Sequence, residues 1–400
     1  MKIFILILNI VETIIYVYFL IAAVYVLSFS VFALFYKSKK YKMATKYRKI
    51  AVLIPGYKED KVIIDVARQA LSQNYPDDKF DVVIIADSFH PQTIEALKLL
   101  PIKLIEVSFD VSTKSKALNK AMEQLPDNYD VALILDADNV MELDFLTKIN
   151  NSFESGFKVV QGHRVAKNTN TAFAVLDAVS EELNNTIFRK GHRAIGLSSA
   201  LIGSGMAFDY LMFKARMLEV KAVGGFDKEL ELTLLRDKVK IEYLNDAIVA
   251  DEKVQKVEVF ENQRRRWLSA QFIYFRRFVV PGFYHLITRA NIDFFDKVYQ
   301  MISPPRILLL GVSFLITAFY FALSFNLNAQ TILMLNYYYW FTLLLLIVAA
   351  FGLAIPPKFY NKQTFFALLS LPKAFISMFV SLFKLKGANK KFIHTQHGTD

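Results

Sequence analysis

Residues 131–138 read VALILDAD: five apolar residues running straight into two aspartates, Asp136 and Asp138, with one small residue between them. A short apolar run of this kind reads as a buried strand, and alternate residues of extended chain point the same way. Both carboxylates can therefore turn toward one ligand where the strand ends. That arrangement suits a hard divalent cation, Mg2+ or Mn2+, which is commonly held by one or two carboxylates together with substrate phosphate oxygens. Working outward, IAVLIP at 50–55 precedes Tyr57 and Glu59, DVVIIAD at 81–87 ends on Asp87, and IKLIEV at 102–107 and FKVVQGH at 157–163 repeat the pattern. The segments between them, such as KSKALNKAMEQL at 114–125, carry helical periodicity. Strand alternating with helix predicts an α/β domain with a mostly parallel sheet over 50–260. In such a sheet ligands bind beyond the carboxyl ends of the strands, where the acidic residues Glu59, Asp87, Asp136 and Asp138 all fall.

The rest of the chain is of different character. With 400 residues, 54% of them hydrophobic, 14% aromatic and 21% charged, it is too apolar for an ordinary soluble enzyme and too charged for an all-membrane protein. Residues 1–36 predict a transmembrane helix, since the apolar run from Ile3 to Tyr36 exceeds the ~20 residues that cross a bilayer. The basic linker 37–49 follows, and the positive-inside rule assigns it and the α/β domain to the cytosol. Residues 261–302, rich in arginine and aromatics, read as interfacial helices. Residues 303–356 hold two further spans, Ser303–Phe325 and Tyr338–Ile355. Residues 357–400 form an interfacial or re-entrant helix, Thr364–Phe383, broken by Pro372 and Lys373, and then a basic tail. A multi-pass protein of the cell membrane is expected, its N-terminus outside. The net charge of +11 is concentrated at Lys37–Lys49, Arg264–Arg277 and Lys384–Lys391, each beside an apolar segment, so membrane lipids and not nucleic acid are the expected polyanion. With no cysteine in the chain, any metal needs oxygen or nitrogen ligands, and the six histidines show no paired metal-ligand spacing.

Taken together these residues resemble the membrane-integrated branch of glycosyltransferase family 2, the GT-A fold of the cellulose, hyaluronan and poly-N-acetylglucosamine synthases. The resemblance covers nearly the whole chain. It implies that Pro55, Tyr57 and Glu59 contact the nucleotide and that Asp87 lies against the uridine. Lys116, Ala117, Leu118 and Asn119 match a Lys-x-x-Ala-Leu-Asn segment whose lysine is near the diphosphate. Asp136 and Asp138 fall on the metal and diphosphate motif, and Gly203, Ser204, Gly205 and Met206 on an acceptor-side loop. Gln263, Arg266 and Trp267 reproduce the Gln-x-x-Arg-Trp signature of polymer-forming members. On a helix these three share a face, offering an amide, a guanidinium able to grip diphosphate oxygens and an indole platform for a sugar ring.

The family's base is an aspartate opening a helix shortly after Gly-Gly-Phe. Here Gly224, Gly225 and Phe226 lead into Asp227, Lys228 and Glu229, and aligning Leu232 with the family's leucine puts Glu229 in the base position, with Asp227 the nearest substitute. The resemblance implies an inverting, metal-dependent transfer from a UDP-sugar donor to a growing polysaccharide or other membrane-delivered acceptor. Single-sugar addition to a lipid-linked acceptor is the alternative, and an accessory subunit is compatible with so few spans. The altered base motif also motivates a silent subunit that only binds nucleotide sugar.

Overall fold

The computed structural model describes residues 2–220, 224–253, 257–325 and 335–384. Eight strands form one sheet: β1 (Ile50–Tyr57), β2 (Phe80–Asp87), β3 (Lys103–Val107), β4 (Val131–Ile134), β5 (Val140–Met141), β6 (Val159–Ala166), β7 (Met206–Asp209) and β8 (Ile241–Asp251). The helices of the domain are α2 (Ile63–Leu71), α3 (Pro91–Lys98), α4 (Lys114–Gln124), α5 (Phe145–Glu154), α6 (Ala172–Asn184), α7 (His192–Ala194), α8 (Tyr210–Glu219) and α9 (Phe226–Arg236). They are flanked by α1 (Lys2–Leu34) before the sheet and, after it, by α10 (Val257–Arg289), α11 (Ile292–Ile302), α12 (Arg306–Leu323), α13 (Tyr337–Ala354), α14 (Lys362–Leu368) and α15 (Leu371–Phe383).

The five apolar runs singled out by the sequence all form strands. The sheet order is β3-β2-β1-β4-β7-β6-β8-β5, with β3, β2, β1 and β4 mutually parallel. Beyond β4 the pattern changes. The short β7 runs antiparallel to both β4 and β6, while β6 and β8 are parallel. A βαβ reading does not anticipate β7, because its four residues (MAFD) lie directly behind the glycine-rich loop. The sheet is buried on both faces, as crossover helices require. Ala51, Leu53, Val83 and Ile85 pack with Leu118, Phe213 and Leu230 on one side, and Val52, Ile54, Val82 and Ile84 with Val66, Phe145 and Ile149 on the other.

Among the described residues three helices are long and apolar enough to cross a membrane: Ile3–Leu34, Arg306–Leu323 and Tyr337–Ala354. A fourth apolar stretch is divided into α14 and α15, bent 45° apart with Pro372 in the first turn of α15, as a broken span or re-entrant segment would be. Of the basic tail only Lys384 lies within the described residues; Lys386, Lys390, Lys391, His394 and His397 lie outside them. Helix α1 buries Ala22, Ala23, Val26 and Phe29 against Trp340, Leu343 and Ile347 of α13 and against Ile187. Ile187 belongs to a π-helical continuation of α6, Asn185–Gly191. At Gly191 the two backbones nearly touch, and a Cβ there would stand 2.2 Å from the Phe29 carbonyl oxygen. The α/β domain is thus seated directly on the long apolar helix α1.

Candidate active site

The strand ends converge as the parallel order demands. Tyr57 and Asp87 lie opposite each other in register at the ends of β1 and β2. Just beyond them Lys58 (φ 56°) and Ser88 (φ 60°) occupy left-handed backbone, a strained conformation that gathers at ligand sites. The turns are fixed by Lys58 N–H donating to the Asp87 carbonyl at 3.1 Å and by the Ser88 hydroxyl donating to Asp87 Oδ1 at 2.9 Å. Asp87 and Glu59 are buried and Pro55 is partly exposed. At Gly56, between Pro55 and Tyr57, a Cβ would meet the tip of the Phe89 ring at 2.7 Å, so any side chain there would displace that ring.

At the end of β4 the two aspartates have different surroundings. The Asp136 side chain is 35% exposed and pairs with the Lys114 ammonium. Asp138 is 3% exposed; its Oδ1 accepts from Asn139 Nδ2 at 3.0 Å and its Oδ2 from Glu252 N–H at 3.2 Å. Asp136 is therefore the accessible carboxylate of the two, and Asp138 ties the turn to the end of β8. The glycine-rich loop closes the other side. Gly203 and Gly205 hold φ of +83° and +61°, which glycine adopts without penalty. Asp136 N–H donates to Ser204 Oγ at 2.9 Å, and Gln161 Nε2 donates to the Ser204 and Gly205 carbonyls at 2.9 and 3.2 Å.

Lys114 links these parts, because its ammonium also donates to the Gly203 carbonyl at 2.7 Å. Lys116 is turned elsewhere, donating to the Val111 carbonyl at 2.8 Å. Counting back from Asn119, the Lys-x-x-Ala-Leu-Asn spacing starts at Lys114 and not at Lys116, so the spacing itself carries the signal for Lys114. Asn119 itself donates to the Met217 carbonyl at 3.1 Å and so joins α4 to α8.

Asp227 and Glu229 stand on different sides of α9. A Cβ on Gly203 would lie 3.8 Å from Asp227 Oδ2, so Asp227 faces the loop that holds Lys114. Burial pushes its carboxyl above the usual range and the Glu231 charge adds to this, while Lys228 and Lys114 oppose it. Glu229 is buried and paired instead with Arg277 of α10. Gln263, Arg266 and Trp267 lie on α10 in the same stripe as Ala270 and Tyr274, one or two turns on, which line the start of α9 at Gly225. Gln263 and Arg266 are partly buried, and Trp267 is 45% exposed with the Arg264 guanidinium over its ring at 4.4 Å. Arg264 in turn pairs with Asp177 of α6 at 2.5 Å. The structure thus gathers Asp136, Lys114, Gly203 and Asp227 into one cluster, with Tyr57 and Asp87 at the neighbouring strand ends.

Residues 48–270, more than half of the chain, match the family described as glycosyltransferase like family 2. Two curated relatives are both beta-monoglucosyldiacylglycerol synthases. The one from Synechocystis is 26% identical over 240 residues, covering 56% of this chain and 48% of its own length. The one from Trichormus variabilis is 25% identical over 237 residues, covering 56% of this chain and 49% of its own length. The chain spans about half the length of the curated relatives it matches. Among solved structures, a mannosyltransferase from Pyrobaculum calidifontis in complex with GDP-Man and Mn2+ is 15% identical with a TM-score of 0.49, covering 83% of this chain and 97% of that one. The chain belongs to glycosyltransferase family 2, carries its mixed α/β GT-A fold, and is a glycosyltransferase.

Proposed function

We propose that this family 2 glycosyltransferase moves a single sugar, with inversion, from a UDP-sugar to a hydroxyl of a lipid acceptor presented at the cytosolic face of the cell membrane. The observation that carries the reading is the cluster itself: Lys114 on Asp136 and the Gly203 carbonyl, with the Asp227 carboxylate on the far side of Gly203. The lysine is suited to the leaving diphosphate, and the raised carboxyl of Asp227 is suited to taking the acceptor proton. In an inverting transfer the acceptor oxygen attacks the anomeric carbon from the face opposite the diphosphate, which departs with the bonding pair. The geometry supports Asp227 over Glu229 as the base, because Glu229 is committed to Arg277.

A divalent cation fits this cluster. Asp136 offers a part-exposed carboxylate beside Asp138, and among the described residues no third acid or histidine joins them, so substrate phosphate oxygens would complete the shell. When bound, Mg2+ or Mn2+ would neutralise charge developing on the diphosphate. Tyr57, Glu59 and Asp87 border the space for the nucleoside.

Two observations support a lipid acceptor: α10, which lines the start of α9 at Ala270 and Tyr274, also packs Leu268 against Leu308 of the apolar helix α12, and both curated relatives named above are glycolipid synthases. A second reading, extension of a polysaccharide, is favoured by Gln263, Arg266 and the exposed Trp267, which match the polymer-forming signature. Purified protein in detergent, given a lipid extract, a panel of UDP-sugars and Mg2+ or Mn2+, distinguishes these readings. A lipid product heavier by one sugar supports the first and a ladder of masses the second. Nucleotide-sugar binding without UDP release would point to a silent subunit.

A further inference from the structure

Behind Asp227, on the same helix, lies a buried charge pair that the proposed reaction does not use. Glu231 is fully buried and receives the ammonium of Lys297, 2% exposed on α11, at 2.8 Å. Burial pushes the Glu231 carboxyl up, but Lys228 and Lys297 outweigh it and hold it below its ordinary range. Burying such a pair is weak as a source of stability, so its use is sought in what it holds. Glu231 Oε1 accepts the Leu201 N–H at 3.1 Å, and Lys228 Nζ donates to the Leu201 carbonyl at 2.8 Å. Both backbone groups of one residue are therefore gripped from α9, two residues before Gly203.

We infer that Glu231, anchored by Lys297, is a positioning residue. It fixes the 201–205 loop against α9, and hence Gly203 and its bound Lys114 against Asp227. The neighbouring bonds agree with such a clamp: Ile202 N–H donates to Gln161 Oε1 at 3.1 Å, so the loop is held by α9 on one flank and by β6 on the other. Through its bond to Glu231, Lys297 brings α11 into the same unit, and its ammonium is steadied on its own helix by donating to Gln300 Oε1 at 2.7 Å. The inference rests on the proposed roles of Lys114 and Asp227, but the clamp can be measured apart from them.

The test uses the full chain in detergent. Replacing the pair by apolar side chains, Glu231→Leu with Lys297→Met, removes both charges together and keeps volume. Glu231→Gln with Lys297→Met also removes both charges but keeps a carbonyl to accept the Leu201 N–H. The first double variant is expected to exchange amide hydrogens at 201–205 at least about tenfold faster. It should lose about tenfold or more in kcat with the donor KM little changed, as misplacement of a catalytic group does. The second should recover slow exchange and most of kcat. Lys228→Met, at a part-exposed site, should loosen the same segment and move the acidic limb of the kcat profile to higher pH, because Asp227 loses a neighbouring cation. Unchanged exchange and unchanged kcat in the first double variant would overturn the inference and leave the pair as packing. If the parent protein transfers no sugar to any acceptor, the functional reading fails while the exchange data still decide the clamp.

Discussion

Replacing Asp227 by Asn should lower activity and raise stability at once, a combination that few other roles for this residue would produce. A positioned general base contributes about 10²–10⁴ to a rate, which at ~1.36 kcal/mol per decade is roughly 3–5 kcal/mol of barrier. The stability effect has the opposite sign. Burial holds the folded-state carboxyl above its unfolded value, so the folded protein binds this proton more tightly and loses stability as pH rises through that interval. Asn escapes the loss. Thermal melts should therefore show Asp227→Asn with the higher Tm at neutral pH, and the gain should vanish as pH falls below the ordinary carboxylate value near ~4. Glu229→Gln provides the control. Its partner Arg277 is 48% exposed, so the pair is worth about 1 kcal/mol or less and kcat should fall no more than about fivefold. UDP release at saturating donor, measured from about pH 4 to pH 9, reads both variants and the acidic limb of the parent. A larger loss for Glu229→Gln than for Asp227→Asn would refute the assignment.

Three further outcomes follow from the same geometry. Lys114→Met should cut kcat/KM for the UDP-sugar by roughly 10²–10³, as loss of an oxyanion-stabilising donor does, whereas Lys116→Met, whose partner is the Val111 carbonyl, should stay within about threefold. Chelation with EDTA should stop UDP release, added Mn2+ or Mg2+ should restore it, and Asp136→Asn should blunt that restoration. Gly191→Ala should destabilise the protein by about 1–3 kcal/mol or more, seen as a lower Tm and faster proteolysis in the 37–49 linker, because its Cβ would push α1 away at Phe29.

The sheet was largely legible from the chain because burial on both faces leaves continuous β-branched runs, and VALILDAD, DVVIIAD and IAVLIP stand out from their surroundings. The three long apolar helices were legible for an equally local reason: runs of about twenty apolar residues, the length that crosses a bilayer, stand out in the sequence. β7 was not, because four residues behind a glycine-rich loop carry too little periodicity to be read as a strand.

Within the site, the sequence by itself determined which residue types meet: acids at the strand ends, lysines opening α4 and acids opening α9. Only the tertiary structure decided which of each pair turns to the glycine-rich loop at Gly203. Lys114 and Lys116, like Asp227 and Glu229, are two apart on a helix and thus about 200° apart around its axis. That rotation is set by distant packing, with Ala117, Leu118 and Ala121 turning α4 and with Leu230, Leu234 and the buried Glu231–Lys297 pair turning α9. Local spacing fixes a residue's angle relative to its neighbours on the helix. Contacts made elsewhere along the chain fix the angle of the helix itself.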